Sequence, residues 1–278
     1  MKNIKLFSII TISFLCFACG EDYDETITES GIETEEIIIS EQETGALEFV
    51  FPSPMQIARI FNKSGVTYIE DLTNLVENEN NYNTKYSQQL NYGVYSADMA
   101  YCMINNQTQK SISYLSTLSR LSEKIGMSEI ITPSGLKEKL ENSTGNNDSL
   151  AFIMADMQMK MDNYISENKL NNSSIIIFTG AWIETLYIGT IINEKKRNEK
   201  LISRLAEQEM ILEGLISSFK QNNTTNEHTY LLTALEDLDK TFKNAKVEVD
   251  EELFFSDEAL KILGEQVKTI RTNIVENK

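Results

Sequence analysis

"IIIFTGAWIETLYIGTII", residues 175–192, is apolar on every side of a helical wheel, yet it carries a carboxylate, Glu184, at its middle. A helix without a polar face is surrounded either by lipid or by protein. The stretch approaches spanning length, but a central carboxylate costs about 2.5–3.5 kcal/mol on insertion scales. Thr179, Gly180, Thr185, Gly189 and Thr190 weaken a membrane reading further. The expectation is a helix at the centre of a protein core. A second stretch, "GVYSADMAYCMI" (residues 93–104), has the same character and holds Asp98. Gly93, Ala97 and Ala100 on one, and Gly180, Ala181 and Gly189 on the other, leave room for two backbones to approach closely. The two segments are therefore expected to pack against each other.

Outward from this pair, apolar residues recur at steps of three and four. One set is Leu150, Met154, Met157, Met161 and Tyr164; a second is Leu201, Leu205, Leu212, Leu215 and Phe219, with Gln208 in the missing slot. Leu231, Leu235, Leu238, Phe242 and Ala245 form a third, and Leu260, Leu263, Val267, Ile270 and Ile274 a fourth. Such steps place each set on one helix face, as in the seams of a bundle. Helix starts are marked at Ser53 (with Pro54 and Gln56), Thr67 (with Glu70), Thr132, Thr224 (with Glu227) and Ser256. No strand alternation competes. The fold class is all-α, a multi-helix bundle with two central all-apolar helices.

The chain begins "MKNIKLFSIITISFLCFACG": two lysines, a short apolar core, then Ala18 and Cys19. That order describes a signal peptide, too short to be a spanning helix. It resembles a bacterial lipoprotein signal, in which Cys19 is acylated and becomes the mature N-terminus. Cys16 occupies the place where such signals usually carry leucine. Residues 20–50 then hold eleven acids and no lysine or arginine, a composition that repels itself and stays solvated. "GEDYDE" after the cysteine resembles the acidic signal that sends lipoproteins of Bacteroidota-type bacteria to the outer cell face. The expected organisation is signal peptide 1–18, acidic tether 19–50 and helical bundle 51–278. The expected location is the cell envelope, as an outer-membrane lipoprotein that is periplasmic or surface-exposed.

Chemistry is sparsely supplied. A net charge of −17 disfavours nucleic acid, whose phosphates need clustered cations. His228 is the single histidine, too few for a di-iron carboxylate bundle or for Cys/His zinc sites, and it reads as an exposed residue of a helix's first turn. Cys102, left alone once Cys16 and Cys19 are accounted for, reads as a buried, inert thiol. No phosphate loop, nucleophile elbow or EF-hand spacing occurs. No cofactor or metal is expected, and no catalytic residue is assigned. Asp98 and Glu184 stand out because an isolated buried carboxylate must be paired, hydrogen-bonded or protonated. Arg59, Tyr95, Tyr101 and Tyr187 are candidate partners. One reading is a structural network fixing helix register. The other is a ligand pocket around Asp98 and Glu184 with Trp182 in its wall.

"PSPMQIARIFNKSGVTY", "NYGVYSADMAYCMINNQTQ" and "GAWIETLYIG" are similar to segments of helical lipoproteins of Bacteroidota-type bacteria. The resemblance implies a location and a fold but no activity, since that group has none assigned. The functional expectation is a lipid-anchored, non-catalytic interaction module with another envelope protein as partner. The alternative is a small-ligand-binding or sensing bundle.

Overall fold

Where the two all-apolar segments meet, glycine decides the distance. The computed structural model describes residues 52–65, 67–128, 130, 147–221, 228–249 and 252–278. All of them belong to one compact unit, Ile37–Lys278. The expected signal peptide, Cys19, the acidic tether and the helix starts at Thr132 and Thr224 lie outside the described residues. In chain order the helices are α1 (Pro54–Lys63), α2 (Lys85–Ile104), α3 (Thr108–Lys124), α4 (Asn147–Glu167) and α5 (Asn171–Lys195). After them come α6 (Glu199–Ala206), α7 (Glu209–Gln221), α8 (Thr229–Ala245) and α9 (Asp257–Val275). The protein is an all-α multi-helix bundle.

The two central segments lie in α2 and α5, which form the most extensive helix pair among the described residues. A methyl group at Gly93 would sit 1.9 Å from the Ile177 carbonyl oxygen and 2.6 Å from the Ala181 nitrogen. One at Gly180 would sit 1.9 Å from the Leu90 carbonyl oxygen. Each glycine thus lets its own helix rest on the backbone of the other. Gln89 hydrogen-bonds Ser173, and further along both helices Asp98 meets Glu184, so the two run parallel. Although α5 is long and apolar enough to cross a membrane (mean hydropathy 1.7), 89% of its apolar window is buried inside the protein.

The pair divides the interior into two cores. One side gathers Leu90, Val94 and Trp182 with the seams of α6, α7, α8 and α9. The other gathers Tyr95, Met99 and Cys102 with Tyr114 and Leu118 of α3 and Met154, Met157 and Met161 of α4. The four periodic seams fall on these cores as their spacing predicts, although the side chains of Leu150 and Ala245 lie outside the described set. Ser53 and Gln56 exchange the two hydrogen bonds of a capping box at α1 (3.2 and 2.7 Å), and the Ser256 hydroxyl accepts from the Ala259 N–H at the start of α9.

Three local expectations are corrected. Thr67 and Glu70 open no helix: residues 67–75 are irregular and lead into a 3₁₀ turn, Val76–Asn81. The box at the next helix is made instead by Thr84 and Ser87. The seam through Gln208 belongs to two helices, because α6 ends at Ala206 and α7 starts at Glu209. A short antiparallel hairpin, β1 (Lys246–Val249) with β2 (Glu252–Phe255), also links α8 to α9. Its Phe255 packs edge-on against Phe242 at 5.3 Å.

Close contact at α2 and α5 makes a sharp prediction. Gly93→Ala and Gly180→Ala should each cost at least about 2–3 kcal/mol in urea unfolding, because backbone cannot yield as a side chain can. Gly264→Ala in α9 meets only the Thr190 Cβ at 3.7 Å. It should instead gain up to about 1 kcal/mol from helix propensity.

Candidate functional site

Because α2 and α5 run parallel in close contact, their two carboxylates face each other. Asp98 and Glu184 have no solvent exposure. Arg271 of α9 completes the group, with Nε 2.9 Å from Glu184 Oε2 and a second nitrogen 3.1 Å from Oε1. This two-pronged pairing is the strongest geometry an arginine and a carboxylate can adopt. The Arg271 guanidinium lies 4.6 Å from the centre of the Tyr187 ring, a cation–π contact. Burial alone would lower the affinity of Arg271 for its proton, but the charge and hydrogen bonds of Glu184, with Asp98 nearby, raise it above the ordinary arginine value.

One cation cannot neutralise two buried anions. Desolvation, followed by the charge of Glu184, pushes Asp98 well above its ordinary value of 3.8, and the Arg271 charge only partly opposes this. That balance favours the protonated form of Asp98, whose buried Oδ1 has no other hydrogen-bond partner and for which the Glu184 carboxylate is the neighbouring acceptor. Its Oδ2 accepts the backbone N–H of Asn74 at 3.0 Å. With Asp98 protonated, the group becomes a neutral acid beside an ion pair.

From Asn74 the network spreads over the irregular segment ahead of α2. The Asn74 amide donates to the Tyr82 hydroxyl (2.9 Å), which donates to the Val275 carbonyl of α9 (3.2 Å). Tyr114 bonds Thr73 Oγ1 (2.7 Å) and the Asn74 carbonyl (2.8 Å), while Tyr95 donates to the Leu75 carbonyl (2.8 Å). Tyr101 accepts the Ile69 N–H at 2.7 Å. These side chains satisfy backbone groups that a helix would have paired internally, which is why residues 67–75 need not be helical. A second buried acid, Glu79, is held by Arg120 (2.7 Å) and Lys124 (2.8 Å) of α3. Burial would raise its pKa, but the two cations outweigh that and lower it.

Several expected partners are reassigned. Arg59 is exposed on α1 and is not the cation of the pair. Tyr187 does join the group, through Arg271, whereas Tyr95 and Tyr101 serve the 67–75 segment. Trp182 points elsewhere: two residues along a helix are about 200° apart, and its indole N–H reaches Gln208 Oε1 at 3.3 Å. It belongs to the core shared with α6–α9 rather than to a pocket wall beside Asp98. His228 is buried, 8% exposed, between the rings of Tyr86 (4.9 Å) and Phe219 (6.1 Å), which corrects the exposed reading. Cys102 is buried as expected, and desolvation pushes its thiol up to about 12. Arg271, unremarked in the sequence, is four residues beyond Val267 and so borders the buried face of α9. That position was the available signal.

Fold and site together define a helical bundle locked by a sealed polar network. Among the described residues no three His, Cys, Asp or Glu side chains converge as a metal site requires. Comparison with known protein families, with characterised proteins and with solved structures finds no match to this chain.

Two outcomes follow for stability. Arg271→Leu should cost about 3–5 kcal/mol, since it leaves the Glu184 charge buried and uncompensated. Asp98→Asn should cost less than about 1 kcal/mol at neutral pH, because an amide can accept from Asn74 and donate to Glu184 as the protonated acid does. The pH dependence separates Asp98 from a merely buried polar group. Above 3.8 the unfolded chain has released a proton that folded Asp98 retains. Its stabilising contribution is therefore complete at low pH and is lost as pH rises through the folded value. Urea midpoints taken from pH 4 upward should show wild type losing stability relative to Asp98→Asn; parallel curves would refute the protonated carboxyl.

Proposed function

We propose that the chain is a non-catalytic interaction module of the cell envelope, held to the outer membrane by lipid on Cys19 and presenting its helical body to another protein. The observation that carries this reading is the burial of Asp98 and Glu184 and their engagement by Arg271. The two carboxyl groups have no solvent exposure, and Arg271, whose side chain is 14% exposed, covers Glu184 from the α9 side in a role that fixes three helices and one irregular segment. A bundle locked in this way keeps its outer faces in constant register, as a docking scaffold needs. The same sealing disfavours the small-ligand reading, since a ligand at Asp98 would have to open the α2–α5 contact.

Sequence features supply the rest of the reading. Cys19 follows a short apolar core and Ala18, and eleven acids separate it from the bundle. Such a leash keeps the body away from anionic lipid, and a net charge of −17 turns it away from nucleic acid. The similarity to helical lipoproteins of Bacteroidota-type bacteria points to the same location.

Mass spectrometry of the mature protein should find acyl chains on Cys19. Cys19→Ser should abolish that mass and move the protein from the detergent phase to the aqueous phase. Unmodified Cys19 in the mature chain would overturn the anchor. Proximity labelling from intact cells should return a reproducible neighbouring protein, and its consistent failure to do so would overturn the interaction module.

A further inference from the structure

The α8–α9 pair turns its seam inward and leaves an open groove of about 350 Å³ on its outer side. Tyr230 and Ala234 of α8 provide its apolar surface, with the buried Ile270 of α9 beneath them, and Asp237 and Glu265 provide its lining charges, both negative. Tyr230 is 50% exposed, and Ile262, one turn before Glu265 on α9, is 44% exposed. Lys240 engages Oδ1 of Asp237 at 2.8 Å, whereas the Glu265 carboxylate makes no hydrogen bond or ion pair among the described residues. Within the same groove Gln266 Oε1 is buried and receives no donor.

We propose that this groove is the docking surface for a partner protein segment that carries a bulky apolar side chain flanked by lysine or arginine. The inference rests on the interaction-module reading and names the face through which it acts. From Tyr230 to Asp237 the groove runs about 10 Å along α8, a length that fits one inserted side chain with a cation beside it. The inserted group covers the exposed ring of Tyr230, and a cation meets Glu265. A second copy of this chain is the wrong occupant. It would set its own Asp237 and Glu265 against the same pair in a molecule already carrying −17.

The test uses the full chain carrying Cys19→Ser and two labelled twelve-residue peptides of identical apolar content, one with lysine and one with glutamate at its polar positions. Fluorescence anisotropy should show the lysine peptide binding at least about tenfold more tightly, with an affinity that falls as salt rises. Tyr230→Ala and Glu265→Lys should each weaken it about fivefold or more, while Glu123→Lys on α3 stays within about twofold. No binding, or equal loss in Glu265→Lys and Glu123→Lys, would overturn the groove and leave only diffuse attraction to an acidic protein. Binding in solution by self-association, seen as a concentration-dependent dimer abolished by Tyr230→Ala, would also overturn it. A neighbour labelled in cells just as strongly by the Tyr230→Ala and Glu265→Lys chains would overturn this surface while leaving the interaction module intact.

Discussion

Two missing side chains organise this molecule. Gly93 and Gly180 let α2 and α5 touch backbone to backbone, and neither site has room for even a methyl group. Contact that tight sets the offset between the helices as well as their distance, because ridges and grooves that close can interlock in few ways. Once the offset is set, Asp98 and Glu184 must share one buried space. Everything distinctive about the interior follows from that enforced meeting.

A carboxylate pair in a dry core is unstable unless its charge is reduced. Two features reduce it: the burial and the Glu184 charge that push the Asp98 pKa up, and the Arg271 guanidinium brought from α9. The solution also ties together parts of the chain far apart in sequence. Asp98 holds Asn74, Tyr82 reaches Val275, and the Asn91 amide reaches the Ile274 carbonyl at 3.0 Å. A buried ion pair of this kind is weak as a source of net stability. Its strength is selectivity, since any slip of α2, α5 or α9 leaves a charge or a donor stranded. A rigid interior then supports a constant exterior, on which a groove such as the one between α8 and α9 can serve recognition.

Much of this was legible residue by residue. Periodicity at steps of three and four marked the seams of α4 and α6–α9, and all-round apolarity marked α2 and α5 as central. The need to neutralise Asp98 and Glu184 was also legible, as was the burial of Cys102. Of the candidate partners, Tyr187 joins the group through Arg271, whereas Arg59 does not. Charge demand can be inferred locally, but the cation that meets it stands 87 residues beyond Glu184 in the chain. His228 was misread for a related reason: its burial depends on Tyr86 and Phe219 arriving from other helices.

The amino-acid order by itself determined the helical class, the inward faces and the small residues, Gly93, Ala97, Ala100, Gly180, Ala181 and Gly189, that could bring two backbones together; the structure selected Gly93 and Gly180 among them. These are local matters, governed by side-chain size and by a 3.6-residue repeat that operates over a few turns. Only the tertiary structure decided that Arg271 answers Glu184, that Trp182 turns to Gln208, and that residues 67–75 forgo a helix for hydrogen bonds to Tyr101, Tyr114 and Asp98. Those choices depend on which groups meet after α2 and α5 have locked, and short-range propensity yields to a long-range partner that can satisfy a buried polar atom.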